Sequence, residues 1–451
     1  MSLSSPGIGS GLDVKGIVDQ LVALERRPIS LLASAKTRLD TQLSSYGLMQ
    51  SYLGNLQSIA AKLADPANWT RNAATSSDAA VGVTAGATAS AASYAVEVQQ
   101  LAASQSLSSA VFADETDIGT GTLTITRGSD SFDIEVAAGA SSLQAVRDQI
   151  NAAGAGVTAS ILRDTGGARL VLTGNETGTE NAFTVSVAAG ATGNLAALGE
   201  PGGLVERRAA ADAQFTINGV PLSSARNQLD NVIDGVSLTL TRLTSAPVQV
   251  TVAADKAAMS KDIGDFIAAY NELNRFLAAQ TRYDEATRQA GALQGDRTAV
   301  GLISKLRALV QVPSPASAVY GRLADLGISL QKDGSLKLDQ SKLDAAVANP
   351  AEVGKALSAS GDGLMHGFKA LADGMLGSDG ALTARSEGLR ASIKRNEREQ
   401  ERLGDRVERT RERLLRQYSA LDNTIGQLSG LGSLVTQQLD ALSNFYKQSS
   451  K

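Results

Sequence analysis

The sequence predicts an α+β, multidomain protein: N- and C-terminal helices pair as coiled-coil or bundle legs, and β-rich head domains are inserted between them. Three observations predict this. Near both ends apolar residues recur at alternating steps of three and four, the period of helices that pack side by side. Between them, from Ala73 to about Ala254, the chain is rich in Ala, Gly, Ser and Thr and reads as short alternating strands. With 451 residues, the chain is long enough for about three domains.

Behind a glycine-rich leader, Gly7–Gly11, a first helix spans Leu12 to Glu25, with Val14, Ile17, Val18, Leu21 and Leu24 on its apolar face. Pro28 interrupts or restarts it. A heptad seam follows: Leu32, Ala35, Leu39, Gln42, Tyr46, Met49, Leu53, Leu56, Ala60 and Leu63, ended by Asp65-Pro66. Strands are expected at Tyr94–Val98, Gly121–Thr126, Ser131–Val136, Arg169–Thr173 and Phe183–Val187, with turns at Arg127-Gly128, Gly166-Gly167 and Gly174-Asn175. One helix interrupts them near Ser141–Ile150. Ser141 is its expected cap, and Leu143, Val146 and Ile150 share a face. Ala188–Gly203 reads as a loop or boundary.

A second strand set spans Ala213–Ile217, Val236–Thr241 and Val248–Val252, and Asn218-Gly219 is a hairpin signal. Helix returns near Lys256, with Ile263, Phe266, Ile267, Tyr270, Leu273, Phe276 and Leu277 on a broad face, and continues through Leu302, Leu306 and Leu309. Leu326–Leu330 and Leu336–Leu338 form a hairpin around Asp333-Gly334, before a helix from Gln340 to Val347. The last segment carries a seam of sixteen positions from Leu389 to Leu442, six of them polar. Its mean step of about 3.5 is that of a left-handed coiled coil. Tyr418, Ile425 and Leu439 widen the face, which suits packing among several helices.

These readings divide the chain into four parts. Residues 1–40 and 415–451 form a terminal helical leg, expected to be disordered in a free monomer. Residues 41–72 and 256–414 form a helical bundle with a β-hairpin near 326–339; 73–106 and 206–255 form a β-rich head; 107–205 form a distal β-rich head with one helix.

Composition excludes several chemistries. There is no cysteine, hence no disulfide, thiol nucleophile or thiolate metal site. His366 is the only histidine, so a multi-histidine site cannot form within one chain, and it reads as a surface or packing residue. No apolar run reaches the ~18–20 residues of a membrane helix. Met1–Gly11 has neither the basic nor the apolar region of a cleaved export signal. Net charge is −4, but Ser76–Asp255 has 8 Arg, no Lys and 18 acidic residues, a net −10 between two basic flanks. That acidity argues against a nucleic-acid partner. Asp114-Glu115 with Asp117 reads as a solvated loop, Asp333 as a turn residue, and Arg390–Arg416 as the outer face of a coiled coil. No cofactor, no metal site and no enzymatic activity are expected.

The opening Gly7-Ile-Gly-Ser-Gly-Leu-Asp-Val14, followed by Ile17-Val18, Leu21, Glu25 and Pro28-Ile29, resembles the bacterial flagellar filament-capping proteins (hook-associated protein 2, FliD family). Tyr94–Ala102 with Gln105 resembles the motif ending that family's N-terminal region; Phe215–Val220, Asp230 and Gly235–Leu240 resemble the start of its C-terminal region. Leu326–Leu330, Asp333-Gly334, Leu336 and Asp339 resemble its hairpin, and Leu431–Val435 with Gln438-Leu439 its tail. The resemblance runs nearly end to end and is least diagnostic over Phe112–Gly203.

The resemblance implies a protein exported through the flagellar channel without a cleaved signal to the extracellular filament tip. There it would form a homo-oligomeric ring, a pentamer by family default, and promote insertion of flagellin. Its implied partners are flagellin, the hook–filament junction proteins and an export chaperone, with no nucleic acid and no membrane insertion. The candidate interface residues are the leg positions Leu21, Leu32, Leu39, Leu53, Leu403, Val407, Leu414, Leu421, Leu428 and Val435. The alternatives are a hook–filament junction or other axial protein, or a secreted adhesin.

Overall fold

The protein is described by a computed structural model covering residues 13–113, 115–199, 203–285 and 288–448. The leader Gly7–Gly11 and Asp114 lie outside the described residues. The chain begins with α1 (Val14–Glu25) and α2 (Arg27–Leu63), followed by a 3-10 turn at Pro66–Trp69. Asp13 caps α1, its carboxylate accepting the Gly16 N–H at 2.8 Å. Pro28 stands in the first turn of α2, where a missing N–H costs nothing, so the helix restarts there.

Next come β1 (Asn72–Ser76), β2 (Val81–Ala85), β3 (Ala92–Gln100), β4 (Ser106–Ser109), β5 (Gly121–Arg127) and β6 (Asp130–Val136). They are followed by α3 (Leu143–Ala152), β7 (Val157–Asp164), β8 (Gly167–Gly174), β9 (Phe183–Val187), α4 (Gly193–Ala197) and β10 (Leu204–Arg208). Strands β11 (Ala213–Ile217), β12 (Val220–Ser224), β13 (Gln228–Ile233), β14 (Val236–Leu240) and β15 (Val248–Ala254) end this region. The chain returns to helix with α5 (Lys256–Thr281), a short hairpin of β16 (Tyr283–Asp284) and β17 (Gln289–Ala290), and α6 (Arg297–Gln311). After β18 (Ile328–Leu330) and β19 (Leu336–Leu338) come α7 (Gln340–Val347), α8 (Pro350–Ser358), α9 (Leu364–Leu376) and α10 (Ala381–Gln448). The chain divides into two compact units: Met1–Trp69 with Ala258–Lys451, and Thr70–Ala257.

The Thr70–Ala257 unit has two lobes with separate cores. In the first lobe an antiparallel sheet ordered β1-β15-β3-β11-β12 and a second ordered β13-β14-β2 enclose Val81, Val96, Val98, Phe215, Leu238 and Val250. Alternation sets the register: Val248, Val250 and Val252 point inward from β15 while Gln249 and Thr251 point out. Asn218-Gly219 turns β11 into β12 with both residues at positive φ, 50° and 79°, as a two-residue hairpin of this twist requires.

The second lobe is inserted between β3 and β11, and Ala103 and Ala211 exchange backbone hydrogen bonds of 2.8 and 3.0 Å where the chain crosses. Its sheets, β10-β4-β8-β7 and β6-β5-β9, close on Leu123, Ile125, Ile150, Leu170, Leu172 and Phe183. Two expectations change here. Ser142, not Ser141, caps α3, accepting the Ala145 N–H at 3.1 Å, while Ser141 is buried. The Ala188–Gly203 stretch contains α4, which brings Leu195 into the lobe's core along with Leu198 just after it. Two apolar anchors in an Ala/Gly background are too few to show a period.

In the helical unit, α2 buries Tyr46, Met49, Leu53, Leu56, Ala60 and Leu63. Phe266 of α5 meets Phe368 of α9 edge-on, ring centroids 5.1 Å apart. The β18–β19 hairpin is held by Asn271, whose amide accepts the Leu336 N–H at 2.7 Å and donates to the Leu336 carbonyl at 2.8 Å. Asp333 is the turn residue expected, its carboxylate accepting the Ser335 N–H at 3.0 Å. Trp69, the chain's single tryptophan, is buried, and its indole donates to the Leu63 carbonyl at 2.9 Å. A Cβ on Gly354 would lie 2.8 Å from the Trp69 Cβ. Gly354→Val therefore overpacks the site by about 1–3 kcal/mol and exposes the indole. A lower denaturation midpoint with a red-shifted emission checks this, and unchanged emission would refute it.

Two buried tyrosines give this unit an alkaline limit. Burial, then the hydrogen bond to Asp296, pushes Tyr46 up to about 12, and burial does the same for Tyr270. Unfolded tyrosine titrates near 10. Between pH 10 and 12 the unfolded chain has therefore released protons that the folded chain keeps. Stability falls there by up to about 1.4 kcal/mol per pH unit for each tyrosine, and is complete below pH 10. Among the described residues the Tyr270 hydroxyl has no hydrogen-bond partner. Tyr270→Phe should therefore halve the slope at no cost near pH 7, as urea midpoints across this range would show.

Candidate assembly interface

The candidate interface is built on α10, whose 68 residues span about 100 Å at 1.5 Å per residue. It runs antiparallel to α2: Asn396 donates to the Leu32 carbonyl at 3.1 Å and Lys36 pairs with Glu397 at 3.3 Å, while Tyr46, further along α2, reaches a site shared with Arg385. There the Tyr46 hydroxyl donates to Asp296 Oδ1 at 2.6 Å. The same carboxylate caps α6 by accepting the Thr298 and Ala299 N–H groups at 3.0 and 3.1 Å, and its other oxygen lies 3.5 Å from Arg385 Nε. One carboxylate thus fixes α2, α6 and α10 together where the pair of long helices leaves the bundle.

Beyond that point the paired helices thin out. The α2 seam changes from buried at Tyr46 and Leu53 to half-buried at Leu39 and Leu32. Then α1 takes over as the cover of α10, with Val14, Val18 and Val22 packed against Val407 and flanked by Ile29, Leu414, Leu415 and Tyr418. Leu21, Leu403 and Leu414 are half-buried there. Past Leu414 the seam is uncovered among the described residues: Leu421 is 47% exposed, Leu428 62% and Val435 53%. Leu431, Leu439 and Leu442 are exposed with them.

The ten expected positions therefore fall into three groups. Leu53 belongs to the bundle core. Leu21, Leu32, Leu39, Leu403, Val407 and Leu414 are shared between helices of the same chain. Leu421, Leu428 and Val435 face outward. A second signal marks this last group. Arg385–Arg416 holds 18 charged residues, paired outward as Arg402–Glu399 at 2.6 Å and Arg411–Glu408 at 3.3 Å. Gln417–Asn444 holds only Asp422 and Asp440, and is rich in Gly and Ser around Leu428–Leu434. A solvated helix is normally laced with charge, whereas small residues let another helix approach closely.

The other polar residues of interest have local roles. Glu115 forms a bidentate pair with Arg163, and the Asp117 carboxylate accepts the Gly119 N–H at 2.9 Å. His366 Nε2 lies 3.3 Å from the Ser358 carbonyl. Among the described residues no group of acidic or imidazole side chains is placed to hold a metal ion, and no helix is long and apolar enough to cross a membrane.

Comparison with known proteins follows the same lines. Residues 10–105 match the family described as flagellar hook-associated protein 2 N-terminus, and residues 210–430 match its C-terminus. Residues 122–176, in the inserted lobe, match the flagellin hook IN motif. The A-type flagellar hook-associated protein 2 of Pseudomonas aeruginosa is 33% identical, the alignment covering 98% of each chain. The flagellar hook-associated protein 2 of Escherichia coli K12 is 30% identical over 98% of this chain and 99% of its own. The crystal structure of the D1-D2-D3 domains of the Escherichia coli flagellar cap protein FliD superposes with a TM-score of 0.62 at 30% identity, covering 77% of this chain and 99% of that one.

Proposed function

From the premise that this chain belongs to the flagellar hook-associated protein 2 (FliD) family, a family of structural cap proteins rather than enzymes, we propose that it caps the growing flagellar filament and promotes the insertion of exported flagellin. Several copies assemble into a ring, five being the family's default number, held by heterologous contacts that close on themselves. The ring sits at the extracellular filament tip, reached by export without a cleaved signal. Its partners are flagellin, the hook–filament junction proteins and an export chaperone. The observation that carries the reading is the uncovered seam from Leu421 to Leu442 on an otherwise paired helix. A face with apolar residues at heptad spacing and little charge suits a succession of helical neighbours, each held weakly enough to be exchanged.

The four-part organisation belongs to this proposal: leg, bundle, head and distal head. Separate clusters of buried residues in the two lobes and around α1 support it. The outer part of the leg, past Leu414, is fixed by assembly, because its seam has no cover among the described residues. The deciding experiment is deletion of the gene in the source bacterium. Short or missing filaments, with soluble flagellin in the medium and rescue by added purified protein, are expected. Normal filaments would overturn the reading.

A further inference from the structure

The two lobes of the Thr70–Ala257 unit have separate cores and are joined by two neighbouring crossings, at Ala103 and Ala211. Two adjacent strands in line act as a hinge, and only a third contact stops such a hinge from turning. We propose that the loop Thr177–Thr179 of the inserted lobe is a latch that fixes that lobe at one angle to the first. The loop is held from both sides. Thr179 donates its N–H to Asp212 Oδ1 at 2.6 Å, and its hydroxyl lies 3.1 and 3.0 Å from the two oxygens of the same carboxylate. The Thr177 hydroxyl donates to the Ala225 carbonyl at 2.6 Å.

Between them Gly178 has φ +102°, and a Cβ there would lie 2.5 Å from the Ala225 Cβ, so the joint closes only around glycine. The receiving side is itself fastened. Asn227 accepts the Ala102 N–H and donates to the Ala102 carbonyl, both at 2.8 Å, which ties the Ala225 turn to the crossing strand. On the loop's own side, Asn181 donates to the Thr177 carbonyl at 2.8 Å. None of these contacts belongs to either core, and each lobe's sheets close without them.

The chain's lack of cysteine makes the test direct. Ser129→Cys in the inserted lobe and Asp234→Cys in the first lobe, both at exposed positions, take one spin label each in the full-length protein. Pulsed electron-spin distances should give one narrow distribution. Adding Gly178→Val should broaden it while far-UV circular dichroism stays unchanged. Asp212→Ala combined with Thr177→Val, which removes the side-chain hydrogen bonds on both sides of the loop and adds no heavy atom, should broaden it too, and decides the matter alone if Gly178→Val does not fold. A broad distribution in the parent, or one that stays narrow with Asp212→Ala and Thr177→Val together, would overturn the latch.

Discussion

Replacing Leu421 and Leu428 together with Asp should stop filament elongation while leaving the free protein as stable as before. Both side chains are largely open to solvent in the single chain, so their loss removes little intramolecular packing. Assembly that buries the half of each side chain still exposed is worth about 1–1.5 kcal/mol of transfer free energy apiece, so the pair accounts for about 2–3 kcal/mol of binding. A carboxylate in each place adds a desolvation penalty. The double variant, returned to a deletion strain, should give non-swimming cells that shed flagellin, with an unchanged thermal midpoint for the purified protein. Normal swimming would remove Leu421 and Leu428 from the interface. A lowered midpoint would mean that the stripe packs within the chain.

The largest expected effect on stability is at Asp296. Asp296→Ala removes the cap of α6, worth about 1 kcal/mol, and leaves the buried Tyr46 hydroxyl without its acceptor, worth a further 1–3 kcal/mol. The expected loss is about 2–4 kcal/mol, read from guanidinium unfolding followed by helix circular dichroism. Asp296→Asn keeps an acceptor and a good capping side chain, and should lose less than half as much. Tyr46→Phe should cost about 1 kcal/mol. Equal losses for Asp296→Ala and Asp296→Asn would show that charge, through Arg385, matters more than the hydrogen bonds.

How far the sequence discloses this molecule depends on the range of the interaction. Local rules are legible. Asn218-Gly219 specifies its hairpin, Gln340–Val347 its helix, and Asp333-Gly334 its turn, because each is decided by residues next to one another. The steps of three and four from Leu389 to Leu442 mark one face of one helix, and α10 has that face. Periodicity identifies a face and not its occupant. The same heptad spacing runs through Val407, covered by α1, and Leu428, covered by nothing among the described residues. The drop in charge after Arg416 is the local clue to that difference, and it is a matter of composition rather than of period. The joint at Asp296 leaves no trace of this kind, since its three partners come from α2, α6 and α10 and meet only in the fold.

One boundary in the fold coincides with a boundary in the chemistry of the chain. No lysine occurs between Lys62 and Lys256, and the second compact unit runs from Thr70 to Ala257. An endoprotease that cuts only after lysine therefore has no site inside either lobe, however long the digestion or however loose the loops. Its cuts at the two flanking lysines would excise both lobes as a single piece, Leu63–Lys256, which starts seven residues before the unit and ends one short of it. A reagent that acylates primary amines would likewise mark helices of the helical unit, α10 at Lys394 among them, and leave the lobes blank.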